Sequence, residues 1–479
     1  MTTASDQAPR CGAEIARTPT LALRKELSLF DAVAVVVGTI IGSGIFLIPH
    51  SIALELHSLG TVLLVWVVGG ILTLFGALSL AELASIFPGT GGLCTYLRHA
   101  YGRLPAFLYA WSLLLMIHSG SIAALAVGFG LYLGQVLSLN ALEQKAASVI
   151  VILVLTMTSC LGIRGGKLVQ NLIAIAKVSG LAIIIVVLGT KGSLPLHLFP
   201  VTPTSGVRTF SFTGFGIALV AALWAYEGWH VVSFVAGEMK RPQRDLPRSL
   251  LYGSATVMLI FVVANLGYYH VLSAGEIRES NAVAALAMRK SIGPFATSSV
   301  SLLILISILG SMNGLILTGP RVYYAMARDG IFPRLLGQVS KRYRTPFVAL
   351  IVQGIWTAAL AASGSYQRLF TDVIFTAWIF YGLAVAAVVV LRHTQPQLHR
   401  AFTVPGYPWL SVLFCLAAAG VILSTLIERP IRASLGLGLV ATGVPVYFFC
   451  NKFRTTTADE LPALPDVTAV SREGFREWK

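Results

Sequence analysis

Long apolar stretches divided by short polar ones run through most of the chain. Stretches free of Asp, Glu, Lys and Arg cover residues 32–54, 56–81, 104–142, 146–163, 249–275, 291–320, 345–367, 373–391, 401–427 and 433–451. Two more, 168–190 and 209–237, each contain a single charge, Lys177 and Glu227. A helix needs about 20 apolar residues to cross about 30 Å of hydrocarbon, so the pattern predicts about twelve membrane-spanning helices. The two-residue alternation of an outer-membrane barrel is missing from these stretches, and the prediction is an all-α integral membrane protein. The boundaries expected are a polar tail at 1–28, a transmembrane domain at 29–452 and a second tail at 453–479. The first tail lacks the apolar core of a signal peptide.

Composition removes the soluble alternatives. Only 11% of residues are charged and 56% are hydrophobic, where soluble domains carry about 25% charge. The formal net charge of +15 resolves once the bases are sorted by side. With the N-terminus inside and twelve spans alternating, 24 of the 35 Lys and Arg fall on the inner side and 9 on the outer; Lys177 and Arg321 lie within spans. The positive-inside rule then predicts that both termini are cytoplasmic, and the inner bases face anionic lipid. A nucleic-acid partner would need a folded basic surface outside the membrane, and the short connections leave no room for one. The five cysteines, Cys11, Cys94, Cys160, Cys415 and Cys450, have no metal-ligand spacing and none falls in an expected outer loop. Neither a metal nor a disulfide is expected.

Two spans contain residues that interrupt a helix. The first reads Gly38-Thr39-Ile40-Ile41-Gly42-Ser43-Gly44 in mid-span, and the sixth reads Trp224-Ala225-Tyr226-Glu227-Gly228-Trp229. Each glycine costs a helix about 1 kcal/mol relative to alanine. A carboxylate at bilayer depth costs at least about 2.5–3.5 kcal/mol, which marks Glu227 as a functional candidate. The breaks occupy corresponding spans of two halves that enter the membrane in opposite directions, the arrangement of an inverted repeat meeting at the midplane. Backbone N–H groups released at Gly42, Ser43 and Gly44 suit a carboxylate. Carbonyls near Ile40 and Ile41, aided by those near Trp224 and Ala225, suit an ammonium. Together they fit an α-amino acid zwitterion. The candidate substrate-binding set is Ile40, Ile41, Gly42, Ser43, Gly44, Trp224, Ala225, Tyr226, Glu227 and Gly228.

These motifs resemble those of the amino acid–polyamine–organocation (APC) superfamily, and within it the bacterial relatives of L-type amino acid transporters. The resemblance rests on Gly38 to Phe46, on Ala81-Glu82-Leu83 with Pro88 and Gly91-Gly92, and on Trp224 to Trp229 followed by Gly237 to Pro242. It extends to Gly310-Ser311-Met312-Asn313-Gly314, to Arg321 through Gly330, and to Phe402, Val404, Pro405, Tyr407 and Pro408. It implies a LeuT-like fold: two inverted five-helix repeats, here about 29–190 and 209–391, and two further helices at about 405–452. It also implies alternating access without a cofactor and usually without sodium. By the same resemblance Ile40, Ser43 and Gly44 would contact the substrate's α-carboxylate and α-amine, and Trp224 would be an aromatic gate. Lys177 would place its ammonium where sodium-dependent relatives bind the ion.

Two departures qualify the resemblance. Glu227 stands where eukaryotic L-type proteins usually have a small residue; it can attract a cationic side chain, carry a proton or brace the broken helix, and bracing is the favoured role. The outer loop from Leu137 to Lys145 lacks the cysteine that joins eukaryotic relatives to a heavy chain, so no disulfide-linked heavy chain is expected. His118 and His230 are read as hydrogen-bonded packing residues. No paired carboxylates or Ser-His-Asp spacing lie within the spans, so an enzyme is not expected. The expectation is a sodium-independent exchanger or uniporter of neutral L-amino acids in a prokaryotic cytoplasmic membrane. The alternative is a proton-coupled permease for cationic amino acids or polyamines.

Overall fold

The computed structural model describes residues 27–89, 91–161, 163–198, 211–280, 282–340, 342–343, 345–364 and 366–452. The tails expected at 1–28 and 453–479 lie almost wholly outside these residues. Helices α1 (Leu29–Ile40) and α2 (Gly44–Glu55) form one span bent by 41°. Next come α3 (Leu59–Ile86), the short α4 (Leu93–Tyr101), and α5 (Arg103–Ser112), which runs through one π-helical turn into α6 (His118–Leu137). Then α7 (Ala141–Cys160) and α8 (Ile163–Lys191) complete the first half. The second half opens with α9 (Phe212–Ala225), a turn and a 3₁₀ segment at Val231–Glu238. It continues with α10 (Pro242–Val271), the short α11 (Ala274–Glu279) and α12 (Val283–Ile292), α13 (Phe295–Arg328), α14 (Phe347–Ser363) and α15 (Tyr366–Thr394). Helices α16 (Trp409–Glu428) and α17 (Pro430–Lys452) follow.

Among the described residues nine helices are long and apolar enough to span a membrane, and the bent α1–α2 pair is a tenth. Of the twelve spans expected, the sixth and ninth are therefore not full-length helices. Helix α9 has 14 residues because it stops at the Glu227–Gly228 break, and α14 has 17, at the short end of what crosses hydrocarbon. Peripheral helices turn large apolar residues outward, such as Ile427 on α16 and Leu435 and Phe448 on α17. Water would not tolerate such a surface, and lipid does. The interior holds α1, α6 and α13, whose side chains are mostly buried.

Local chemistry sets where α1 begins. Ser28 and Asp31 form a reciprocal capping box, and the other Asp31 oxygen accepts from Asn171 Nδ2 at 2.7 Å. Just before it, Leu27 pairs in parallel with Met239: Leu27 N–H donates to Glu238 O and Lys240 N–H to Leu27 O, both at 2.9 Å. The start of the first broken span is thus joined to the end of the second. Arg321, the buried base of α13, lies 3.4 Å from Glu238 at the same end. We call this the Leu27 end and the opposite one the Glu55 end.

Candidate functional site

The two breaks face each other, and the sequence dictates how closely. A Cβ at Gly44 would lie 2.7 Å from the Ala225 Cα, so only glycine permits the approach of α2 to α9. Gly228 has φ of +105°, the left-handed region that favours glycine. Thr39 Oγ1 lies 2.7 Å from Val35 O, 3.0 Å from Val36 O and 3.2 Å from Gly228 O, so its one proton serves carbonyls of both broken spans. Helix α1 ends at Ile40 and α2 starts at Gly44 with Ser43 as its N-cap. The first N–H groups of α2 have no intrahelical acceptor and the last carbonyls of α1 no intrahelical donor. Positive and negative backbone poles therefore lie a few residues apart.

Lys177 of α8 fills part of the negative pole. Its Nζ donates to Gly38 O at 2.7 Å, Ile41 O at 2.8 Å and Ser311 Oγ at 2.9 Å, and the residue is 1% exposed. Ser311 Oγ lies 3.0 Å from both carbonyls, and Ser307 Oγ lies 3.1 Å from Ile41 O and 3.3 Å from Gly42 O. This changes the role expected for Ile41. A carbonyl has two lone pairs, and three donors already surround this one, so Ile41 belongs to the lysine cluster and offers no free acceptor to an ammonium. Among the described residues no donor outside the helix reaches Ile40 O.

On the other side of the break, Tyr366 at the start of α15 joins both broken spans. Its hydroxyl accepts from Trp224 Nε1 at 3.0 Å and lies 2.9 Å from Ser43 Oγ. Trp224 also stacks on Phe370 at 5.7 Å between centroids and is 5% exposed. Ser43, Gly44, Trp224 and Ala225 therefore come together as the sequence expected.

Tyr226 does not join them. Its hydroxyl donates to Trp66 O at 3.0 Å and its ring packs on Trp66 and Phe261, so it is a core residue of the α3–α10 interface. Glu227 turns to α15, where Tyr381 Oη donates to its carboxylate at 2.6 Å; the same hydroxyl lies 3.3 Å from His230 Nε2. The hydrogen-bonded packing role expected of the histidines holds for only one nitrogen of His230. Among the described residues neither His118 nitrogen has a partner, nor does His230 Nδ1.

Sequence reasoning missed Tyr366, Tyr381, Ser307 and Ser311 as site residues. The serines left a signal, because they are four apart on one helix and so share a face. The tyrosines left none, since an aromatic in an apolar helix reads as core.

A polytopic helical protein whose two discontinuous spans meet at their breaks, with opposed backbone poles there, is a secondary transporter of the LeuT type. The chain belongs to the amino acid permease family: a family model described as "Amino acid permease" matches residues 27–436. It is 34% identical to the serine/threonine exchanger SteT of Bacillus subtilis, over 90% of this chain and 98% of the relative. It is 32% identical to the human b(0,+)-type amino acid transporter 1, over 92% and 91% respectively. To the human cystine/glutamate transporter it is 31% identical, over 89% and 85%. These names denote transporters, and the protein is an amino acid transporter rather than an enzyme.

Proposed function

We propose that the protein exchanges neutral L-amino acids by alternating access without sodium. The observation that carries this reading is Lys177 Nζ, which already occupies the Gly38 and Ile41 carbonyls that a sodium ion would otherwise take. The substrate carboxylate takes the N–H groups that open α2 at Ser43 and Gly44, and the ammonium takes Ile40 O with carbonyls near Trp224 and Ala225. Trp224, held by Tyr366, closes over it as the gate. Neutral side chains fit because Glu227, the carboxylate at the second break, is engaged by Tyr381. The serine/threonine exchanger and the mouse large neutral amino acids transporter small subunit 2, 32% identical, carry neutral substrates in their names.

The same reading takes residues 29–190 and 209–391 as the inverted repeats and 405–452 as the added helices. Both termini lie in the cytoplasm of a prokaryote, and the loop from Leu137 to Lys145, without cysteine, forms no covalent link to a heavy chain. The presence of Glu227 favours one second reading, a proton-coupled permease for cationic amino acids or polyamines. Liposomes loaded with single unlabelled amino acids and assayed for labelled uptake, in sodium and in choline, test the proposal. Uptake that depends on internal neutral amino acid and ignores sodium supports it; a sodium requirement or uptake confined to cationic substrates refutes it.

A further inference from the structure

The second break contains a cluster that amino acid binding leaves unused. Glu227 Oε1, Tyr381 Oη and His230 Nε2 are linked in series at 2.6 and 3.3 Å, and His230 Nδ1 lies 3.9 Å from the same carboxylate oxygen. His230 is fully buried, and its Nδ1 has no hydrogen-bond partner among the described residues. Tyr109 of α5 lies within electrostatic reach of Glu227, and its buried hydroxyl is likewise without a partner among the described residues. His118 of α6 sits beside His230, both rings packing edge-on to Phe234 at 5.6 and 5.3 Å. The titratable groups facing Glu227 are thus His230 on its own segment, Tyr381 from α15 and Tyr109 from α5, with His118 behind. Among the described residues no Lys, Arg, Asp or second Glu comes within ion-pair distance of it.

We propose that Glu227, Tyr381 and His230 form a proton-binding site, loaded and emptied as the second break moves, so that an inward proton gradient drives amino acid uptake. The inference rests on the transport reading and adds a coupling ion to it. With Glu227 ionised, Tyr381 donates its hydroxyl proton to the carboxylate. A proton taken from water adds to a Glu227 oxygen; Glu227 then donates to Tyr381 Oη, and the tyrosine proton turns to His230 Nε2. Release returns the same proton to water on the other side, with no other bond made or broken. A buried carboxylate paired with a permanent Arg or Lys cation would stay ionised, whereas this one faces only groups whose own protons exchange. The site is placed to act on the mechanism, because Gly228, the next residue, contacts Thr39 of the first break.

Proteoliposomes clamped at zero membrane potential test this, with labelled L-threonine and L-leucine assayed separately. Uptake at about pH 6 outside and about pH 8 inside is divided by exchange at equal pH, a gradient that can support about tenfold accumulation per unit for one proton. The expected ratio for the wild type is at least about threefold, with internal pH falling in step by a trapped dye. Glu227→Gln should bring the ratio to one whatever its absolute rate. Tyr381→Phe, which leaves both titrating groups in place but removes the relay between them, should keep a response with its pH midpoint displaced. A wild-type ratio of one, or a Glu227→Gln ratio equal to wild type, overturns the proposal. So does arginine uptake that Glu227→Gln abolishes while the wild-type ratio stays at one, since the carboxylate would then be a substrate contact. Exchange at equal pH reads the proposed function separately, and its loss would not be mistaken for loss of proton coupling.

Discussion

Lys177→Met is the substitution whose cost can be worked out most fully. Methionine keeps most of the stem volume and removes the amino group with its N–H donors. In the wild type Lys177 Nζ serves Gly38 O, Ile41 O and Ser311 Oγ, while Ser311 and Ser307 supply the remaining donors to Gly38, Ile41 and Gly42. Each hydroxyl has one proton. Without the lysine, three carbonyls compete for two protons and one is left bare. An unsatisfied buried acceptor costs about 1–3 kcal/mol. Because these carbonyls shape the break proposed to hold the substrate, the loss should fall on binding and raise Kd by about 5- to 150-fold. Scintillation-proximity binding on purified protein would measure this, with a thermal melt to show that the variant is folded. A folded Lys177→Met whose Kd stays within twofold of wild type would refute the claim that the lysine cluster supports the site.

Graded substitutions at the glycines of the first break should separate backbone from side-chain crowding. Gly44→Val meets the Ala225 main chain and should abolish uptake, whereas Gly42→Ala meets the Ser311 and Leu125 side chains at 3.1 and 3.2 Å and should retain some; the reverse order in a liposome assay would contradict the geometry. Tyr366→Phe removes hydrogen bonds worth about 0.5–1.5 kcal/mol each while leaving Trp224 stacked on Phe370, so efflux of preloaded substrate should speed up several-fold; an unchanged efflux rate would remove Tyr366 from the gate. Glu82 is 1% exposed and accepts from Arg392 at 2.8 and 2.6 Å and from Val404 N–H at 2.8 Å. Breaking such a buried pair costs about 3–5 kcal/mol, the lower figure applying because Arg392 is partly exposed, so Glu82→Ala should lower the melting temperature in detergent markedly; a melt equal to wild type would deny the network a structural role. Cysteines at Leu27 and Met239, in an otherwise cysteine-free background, should crosslink without blocking uptake, and a block reversed by reductant would show that these segments must separate.

What could be read from the sequence depended on contrast. Gly42-Ser43-Gly44 and Glu227-Gly228 stand out because nothing else in their spans resists a straight apolar helix, and Lys177 stands out as the one charge in residues 168–190. Their three-dimensional meeting followed from topology alone. Tyr366 and Tyr381 were invisible, since a phenol in an apolar run carries no mark of whether its hydroxyl finds a partner. Ile41 and Tyr226 were grouped with the substrate by adjacency in the chain, but neighbouring residues of an unwound segment point in different directions. The lengths of α9 and α14 were overestimated for a related reason: hydropathy reports what surrounds a residue, lipid or protein, and continues unchanged where the helix stops.

The contacts that hold the breaks also divide them into two pairs. At the Leu27 end, α1 and the 3₁₀ segment are joined by the Leu27–Met239 pairing. Toward the Glu55 end, α2 and α9 are joined by the close approach of Gly44 to Ala225 and by Tyr366 bridging Ser43 and Trp224. Between the pairs lie residues 41–43 and 226–230, where no continuous helix resists rotation. Alternating access, as proposed, would open one end by swinging its pair as a unit about the unwound residues while the other pair stays closed. Thr39, bonded across to Gly228, lies at that pivot. Under the proposed function, a substrate held by N–H groups of α2 and carbonyls at the end of α1 would touch both pairs at once and so favour the conformation in which neither has swung. A helix running unbroken through the midplane could offer neither the poles nor the pivot. Under the proposed function, the same glycines that weaken the two spans as helices create the binding site and let it face each side in turn.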